Sequence, residues 1–255
     1  MTEEKLPFTA HLEELRERLI VCSVAIFVGF CIAYGFKEQL FRILMHPLIA
    51  AMGKGEKLIF TGLAEAFFTY LKVAFLGGLM LSSPVIIYEF WMFVAPGLYA
   101  EERRLMLPVV FLSSFFFIGG ALFGYFIVFP LGFEFFLAFA DENIQAMPSM
   151  KEYLSFSSMM LLAFGVVFEL PLVITFLARL GVVSVEFLRK NRKYAILLIF
   201  IVAAILTPPD VMSQIMMAIP LMILYEVSIV GSKIFGKKRA EKEAEKSEAM
   251  SADRK

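Results

Sequence analysis

Few side chains in this sequence could do chemistry, and the first is Glu169. It sits in the stretch Phe156 to Ala178, 23 residues that otherwise hold nothing more polar than Ser157, Ser158 and Thr175. As one helix this stretch would span a bilayer core of roughly 30 Å at about 1.5 Å per residue, leaving the carboxylate near mid-membrane. An ionised acid there costs ~2.5 to 3.5 kcal/mol by translocon scales, so Glu169 is expected to be neutral, paired, or facing a wet cavity. Pro171 removes its own amide and deprives the Val167 carbonyl of a helical donor, one turn from the acid. A structural glutamate bonded between helices accounts for the same residues. Three more acids stand out near apolar stretches: Glu14 before the first, and Glu101 and Glu102 after the second. Each has a plainer reading, Glu14 as the i,i+4 partner of Arg18 and Glu102 as neutralised by Arg103 and Arg104. Exposed pairs are worth about 0 to 1 kcal/mol, so a better cationic partner could displace them. The two histidines, His11 and His46, fall on opposite sides of the expected membrane, and no HExxH, Cys-x-x-Cys, phosphate-loop or G-x-S-x-G pattern occurs. The sequence therefore offers no catalytic residue, no metal site and no cofactor site, and it reads as a protein that is not an enzyme.

The elements that must position these acids are apolar and helical. Of 255 residues 60% are hydrophobic, and mean hydropathy is +0.78, against about 45 to 50% apolar residues in soluble domains. Basic and acidic residues number 24 each, which gives no reason to expect nucleic acid as a partner. Six spans are expected, all helices: Leu19 to Phe36, Ala64 to Ala95, Pro108 to Phe129, Phe156 to Ala178, Tyr194 to Leu206 and Val211 to Val230. Continuous rather than alternating apolar runs argue against a barrel. With six crossings both termini share a side; eighteen Lys and Arg fall there and five opposite, with Lys72 inside the second span. The positive-inside rule then makes both termini cytoplasmic. Residues Met1 to Arg18 carry five glutamates and no signal-peptide layout, so the first span is expected to be retained.

Local signals refine this plan. Leu12, Leu15 and Leu19 recur at helical spacing before the first span, an amphipathic helix on the cytoplasmic surface. Lys37 to Ile49 reads as an external interfacial helix with Pro47 bending its end. The long second span is expected to tilt, kink at Ser83-Pro84 or project beyond the bilayer. Span three carries Gly119, Gly120 and Gly124 for close packing, with Pro130 expected to end it. The thirteen residues Tyr194 to Leu206 reach only ~20 Å and require local thinning of the bilayer. Residues 1-235 form the membrane domain on this reading, and 236-255 a charged tail that is disordered or only transiently helical.

Taken in order, His11-Leu12-x-Glu14-Leu15-Arg16-x-Arg18-Leu19, Ser83-Pro84, Phe93-x-x-Pro96-x-Leu98-x-x-x-Glu102-Arg103-Arg104, Phe164-Gly165-x-x-Phe168-Glu169-x-Pro171 and Thr207-Pro208-Pro209-Asp210-x-x-Ser213-Gln214 form an ordered set. It resembles the TatC family, the receptor subunit of the twin-arginine protein translocase, across roughly residues 8 to 232. The resemblance implies a concave all-α bundle of six helices in the bacterial cytoplasmic (inner) membrane. It also implies binding of twin-arginine signal peptides on folded cargo, assembly with the single-span subunits TatA and TatB in a larger complex, and transport driven by the proton-motive force. Carried over by position, Glu14 and Glu102 would receive the arginines, with Arg16, Phe93, Arg104 and the adjoining Glu101 nearby. Pro47 and Asp210 would belong to the external cap, Glu169 to the polar part of the concave face, and Thr207 and Gln214 to a partner-helix dock. The competing reading is a small ion-coupled transporter with Glu169 as its ion site, which an absent internal repeat and the lack of convergent polar groups disfavour.

Overall fold

The computed structural model describes residues 8–52, 58–59, 62, 64–94, 106–139, 147–207 and 211–252, with side chains throughout except at 8–10, 106 and 235–252. Among these residues every regular element is helical, apart from a single bridge between Ile59 and Ser149. The chain divides into two compact units, Met1–Leu162 and Ala163–Lys255. Among the described residues, five stretches are long and apolar enough to cross a membrane: His11–Gly35, Glu65–Val94, Leu107–Leu137, Met150–Arg179 and Val211–Ile234. Large apolar side chains point outward from them, Phe111 and Phe115 being 78% and 68% exposed. That is the pattern of a chain solvated by lipid. This is a multi-pass α-helical membrane protein.

The first unit holds α1 (Phe8–Gly35), α2 (Lys37–Met52), α3 (Glu65–Val94), α4 (Met106–Phe123), a π-helical turn (Gly124–Val128), α5 (Phe129–Leu137) and the first part of α6 (Met150–Phe168). Helices α1 and α3 pack in opposed directions, and glycines let them touch. A Cβ on Gly78 would lie 2.5 Å from the Phe30 nitrogen, and one on Gly29 2.6 Å from the Gly78 carbonyl oxygen. In the same unit Phe129, Phe133, Tyr153 and Phe156 form an aromatic cluster, with ring centroids 5.2 to 6.5 Å apart.

Three prolines of this unit, Pro84, Pro47 and Pro130, meet different answers. Pro84 leaves the Met80 carbonyl without an amide, and the Ser83 hydroxyl donates to it at 2.8 Å, so α3 continues unbroken to Val94. Pro47 does the same to the Ile43 carbonyl, which accepts from the Tyr125 hydroxyl at 2.6 Å; the next carbonyl, Leu44, accepts from Tyr153 at 2.6 Å. Thus α2 runs past Pro47 to Met52, pinned at the proline by tyrosines from two other elements. The expectation that Pro130 ends the third span is overturned. The π turn before it opens the helix by one residue, with the Phe129 amide donating to Gly124, and the proline falls in the first turn of α5, where no amide is needed. At the same end of the unit as α2, the Glu65 carboxylate accepts from the Gly62 and Lys151 amides at 3.1 and 3.0 Å. It thereby ties the start of α3 to the start of α6. Lys72 lines a cavity of about 360 Å³ with Glu65 and Lys151.

In the second unit, α6 ends at Phe168 and α7 (Leu170–Arg179) follows after Glu169. Gly181, at φ 78°, ends α7 in the left-handed conformation that glycine favours. Then come α8 (Val185–Lys190), α9 (Arg192–Leu206) and α10 (Val211–Ala252). Helix α8 is capped by the Ser184 hydroxyl, which accepts from the Phe187 amide. Helices α7 and α10 press together where Gly231 faces Thr175; a Cβ there would sit 2.6 Å from Oγ1. The 15 residues of α9 rise only about 22 Å. Helix α10 carries on past Gly236 to Ala252, through the tail for which composition predicts disorder or transient helix. Ala, Glu and Lys dominate that tail, and they are strong helix formers once a preceding helix supplies the nucleus.

Candidate functional site: a shared guanidinium where α1 meets α3

The i,i+4 spacing on α1 sets Glu14 one turn below Arg18, and the pair forms: Arg18 Nη2 and Nε donate to Glu14 Oε1 at 2.6 and 3.2 Å. The rest of the fork is taken from another element. Nη1 donates to Glu89 Oε2, on α3, at 2.9 Å. The glycine contact explains why that acid arrives there. Arg18 lies eleven residues before Gly29, and Glu89 eleven residues after Gly78. Equal rises of about 16 Å in opposed helices bring them level. One more turn out, His11 stacks on Phe93, with centroids 4.5 Å apart and planes 19° from parallel. His11 Nδ1 stands 3.8 Å from Glu14 Oε2.

The site therefore holds two carboxylates on one guanidinium, with a flat aromatic pair beside the outer acid. Side-chain exposures are 24% for Glu14, 20% for Arg18 and 14% for Glu89, so the charges are partly withdrawn from solvent and their bonds count for more than open surface pairs. One positive against two negative groups leaves a surplus carboxylate, chemistry suited to a second guanidinium. Arg16 lies between Glu14 and Arg18 on α1 and is exposed.

Of the residues singled out from sequence, Glu14 and Phe93 come together here, linked through His11. Glu101, Glu102, Arg104 and Asp210 lie outside the described residues. Glu89 escaped the sequence reading, although an acid inside the second apolar span was as visible a signal as Glu169. Pro47 lies in α2 with Tyr125 against its orphaned carbonyl. In the second unit Glu169 sits at the break between α6 and α7, with its Oε1 out of solvent contact. Its amide donates to Val166 at 3.1 Å and its carbonyl accepts from Leu172 and Val173, the local rewiring that Pro171 imposes. Buried Thr207 caps α9, its hydroxyl donating to Ala203 at 2.9 Å. Gln214 donates from Nε2 to the Phe200 carbonyl at 3.0 Å, fastening the start of α10 to α9. Among the described residues no cluster of metal-binding side chains occurs.

A family model described as "Sec-independent protein translocase protein (TatC)" matches residues 10–220. The chain belongs to the TatC family. A TatC protein of Desulforapulum autotrophicum is 68% identical over 246 residues, covering 96% of this chain and 91% of its own length. The TatC protein of Escherichia coli (strain K12) is 42% identical over 243 residues, covering 94% of both. A solved structure titled "Crystal Structure of Twin Arginine Translocase Receptor- TatC" superposes with a TM-score of 0.79 at 40% identity, over 88% of this chain and 99% of that one. The family is one of protein-translocase components rather than of enzymes acting on a small substrate. The family match covers residues of both units.

Proposed function

We propose that this chain is the receptor subunit of a twin-arginine protein translocase in the bacterial cytoplasmic membrane. In it, Glu14 together with Glu102 reads the paired arginines of signal peptides on folded cargo. The observation that carries this reading is the carboxylate pair on Arg18, with an aromatic stack at its outer edge. A carboxylate accepts a guanidinium through two parallel hydrogen bonds, and a guanidinium stacks on flat rings, so the cluster suits arginine in both respects. Glu102, which falls between α3 and α4 in the sequence, is close in sequence to Phe93 and supplies the second acceptor; Glu101 and Arg104 stand near it in the chain, and Arg16 lines the approach. Family membership favours this reading over an ion-coupled transporter centred on Glu169.

The same proposal gives the chain six crossings with both termini in the cytoplasm, the short α9 making the fifth by thinning the bilayer. Thinned lipid beside α9 and α10 suits a short single-span partner, TatA or TatB, with Thr207 and Gln214 at the dock. Since one amide donor of Gln214 is already used within the hairpin, the partner would meet the remaining amide valences. Pro47 and Asp210 belong to the external cap, Glu169 to a polar face within the membrane, and the driving force is the proton-motive force. The test is crosslinking in membranes. A signal peptide with a photoreactive residue beside its arginines is expected to label α1 near Glu14 and α3 near Phe93, and cysteine at Gln214 to crosslink TatA or TatB. Labelling confined to the second unit would overturn the assignment of the reading site.

A further inference from the structure

We infer that Glu89 is the acceptor that holds Arg18 when a signal-peptide arginine takes Glu14, so that Arg18 is a resident occupant of the reading site and Glu89 its alternative partner. The inference rests on the receptor reading above. Arg18 already divides its fork, Nε and Nη2 to Glu14 and Nη1 to Glu89 at 2.9 Å. No large movement is needed for it to give up one acceptor and keep the other. The charges point the same way. With two carboxylates and one guanidinium the site has an anion in excess, and an arriving guanidinium brings it to two and two. Glu89 is the more withdrawn acid, at 14% exposure against 24% for Glu14, and Glu14 alone has an oxygen turned toward the His11–Phe93 stack. The outer acid is thus the one a ligand reaches, and the inner one keeps the internal arginine paired, so no charge is stranded during exchange.

This arrangement also supplies selectivity. An incoming cation must replace a contact made by two guanidinium donors on Glu14 Oε1. Another guanidinium can match that contact, whereas an ammonium offers a more strongly hydrated point charge. Competition from a resident arginine therefore penalises lysine more than arginine, a repulsive element added to the attractive one.

The experiment measures binding of a fluorescent Arg-Arg peptide and its Lys-Lys counterpart to the full chain in nanodiscs, for Glu89→Gln, Arg18→Gln and the double variant. Glu89→Gln leaves Arg18 with Glu14 as its only charged partner, and is expected to weaken Arg-Arg binding about ten-fold. Arg18→Gln is expected to tighten both peptides and to shrink the Arg-Arg preference. In the double variant the effect of Glu89→Gln should vanish. Equal weakening by Glu89→Gln with and without Arg18, or none in either background, overturns the inference. Should Glu89→Gln not fold, Glu89→Asp keeps the charge on a shorter arm and is expected to give a smaller weakening with the same dependence on Arg18. Glu14→Gln separates the two levels. Loss of binding there beside an unaffected Glu89→Gln rejects the exchange and leaves the receptor reading standing, whereas full Arg-Arg preference in Glu14→Gln rejects that reading itself.

Discussion

Removing one hydroxyl, that of Tyr125, tests how α2 tolerates Pro47. The proline has no amide to offer the Ile43 carbonyl, and Tyr125 donates to it at 2.6 Å. Tyr125→Phe deletes that bond while keeping the ring against Phe126 and Phe129, at 4.8 and 6.3 Å between centroids. Interhelical hydrogen bonds in membrane proteins average about 0.6 kcal/mol and reach ~1.7. Because the Ile43 carbonyl has no helical amide to fall back on, the cost here belongs in the upper part of that range, about 1 to 1.7 kcal/mol. Pro47→Ala restores the amide, and in that background Tyr125→Phe should cost ~0.5 kcal/mol or less. The coupling of about 1 kcal/mol exceeds the ~0.3 to 0.5 kcal/mol within which unconnected sites add. Steric trapping or reversible unfolding in mixed micelles measures all four proteins. An equal cost of Tyr125→Phe in both backgrounds would show that the hydroxyl does not stand in for the missing amide, and the account of Pro47 would fail.

Ser83→Ala should behave alike on α3, costing about 1 kcal/mol with Pro84 present and little with Pro84→Ala; the same unfolding assay reads it. Gly78→Ala puts a methyl 2.5 Å from the Phe30 nitrogen, which only separation of α1 and α3 can relieve. A loss of roughly 1 to 3 kcal/mol is expected, together with weaker peptide binding, because the same crossing sets Arg18 level with Glu89. Trp91→Phe removes the buried 2.8 Å bond to Ser113 and should cost about 1 to 2 kcal/mol in unfolding without changing the Arg-Arg preference.

Much of this was legible because local rules suffice for it. Apolar runs gave the helices, the spacing of Glu14 and Arg18 gave their pair, and the short run before Thr207 gave a helix too short for a full bilayer. What was not legible depends on where distant elements meet. Glu89 joins Arg18 only through the antiparallel register that Gly29 and Gly78 allow, and no periodicity within one helix carries that register. Pro130 misled because a proline's effect depends on what precedes it: a π turn at Gly124 places it in a first turn, where its missing amide costs nothing. Likewise, Pro47 and Pro84 look equivalent in sequence, but Pro84 is answered by its neighbour Ser83, and Pro47 by Tyr125, 82 residues along the chain from the Ile43 carbonyl that it serves.

The receptor reading proposes that Glu14, together with Glu102, recognises arginine as arginine, at a site where Arg18 is the resident guanidinium. Its most direct test is the ratio of dissociation constants for Arg-Arg and Lys-Lys signal peptides, measured on the full chain and on Glu14→Gln. Loss of a charge-assisted bond worth about 1.5 to 3 kcal/mol should weaken Arg-Arg binding roughly ten-fold or more and bring the ratio close to one. A folded Glu14→Gln protein that keeps the full Arg-Arg preference would contradict the account.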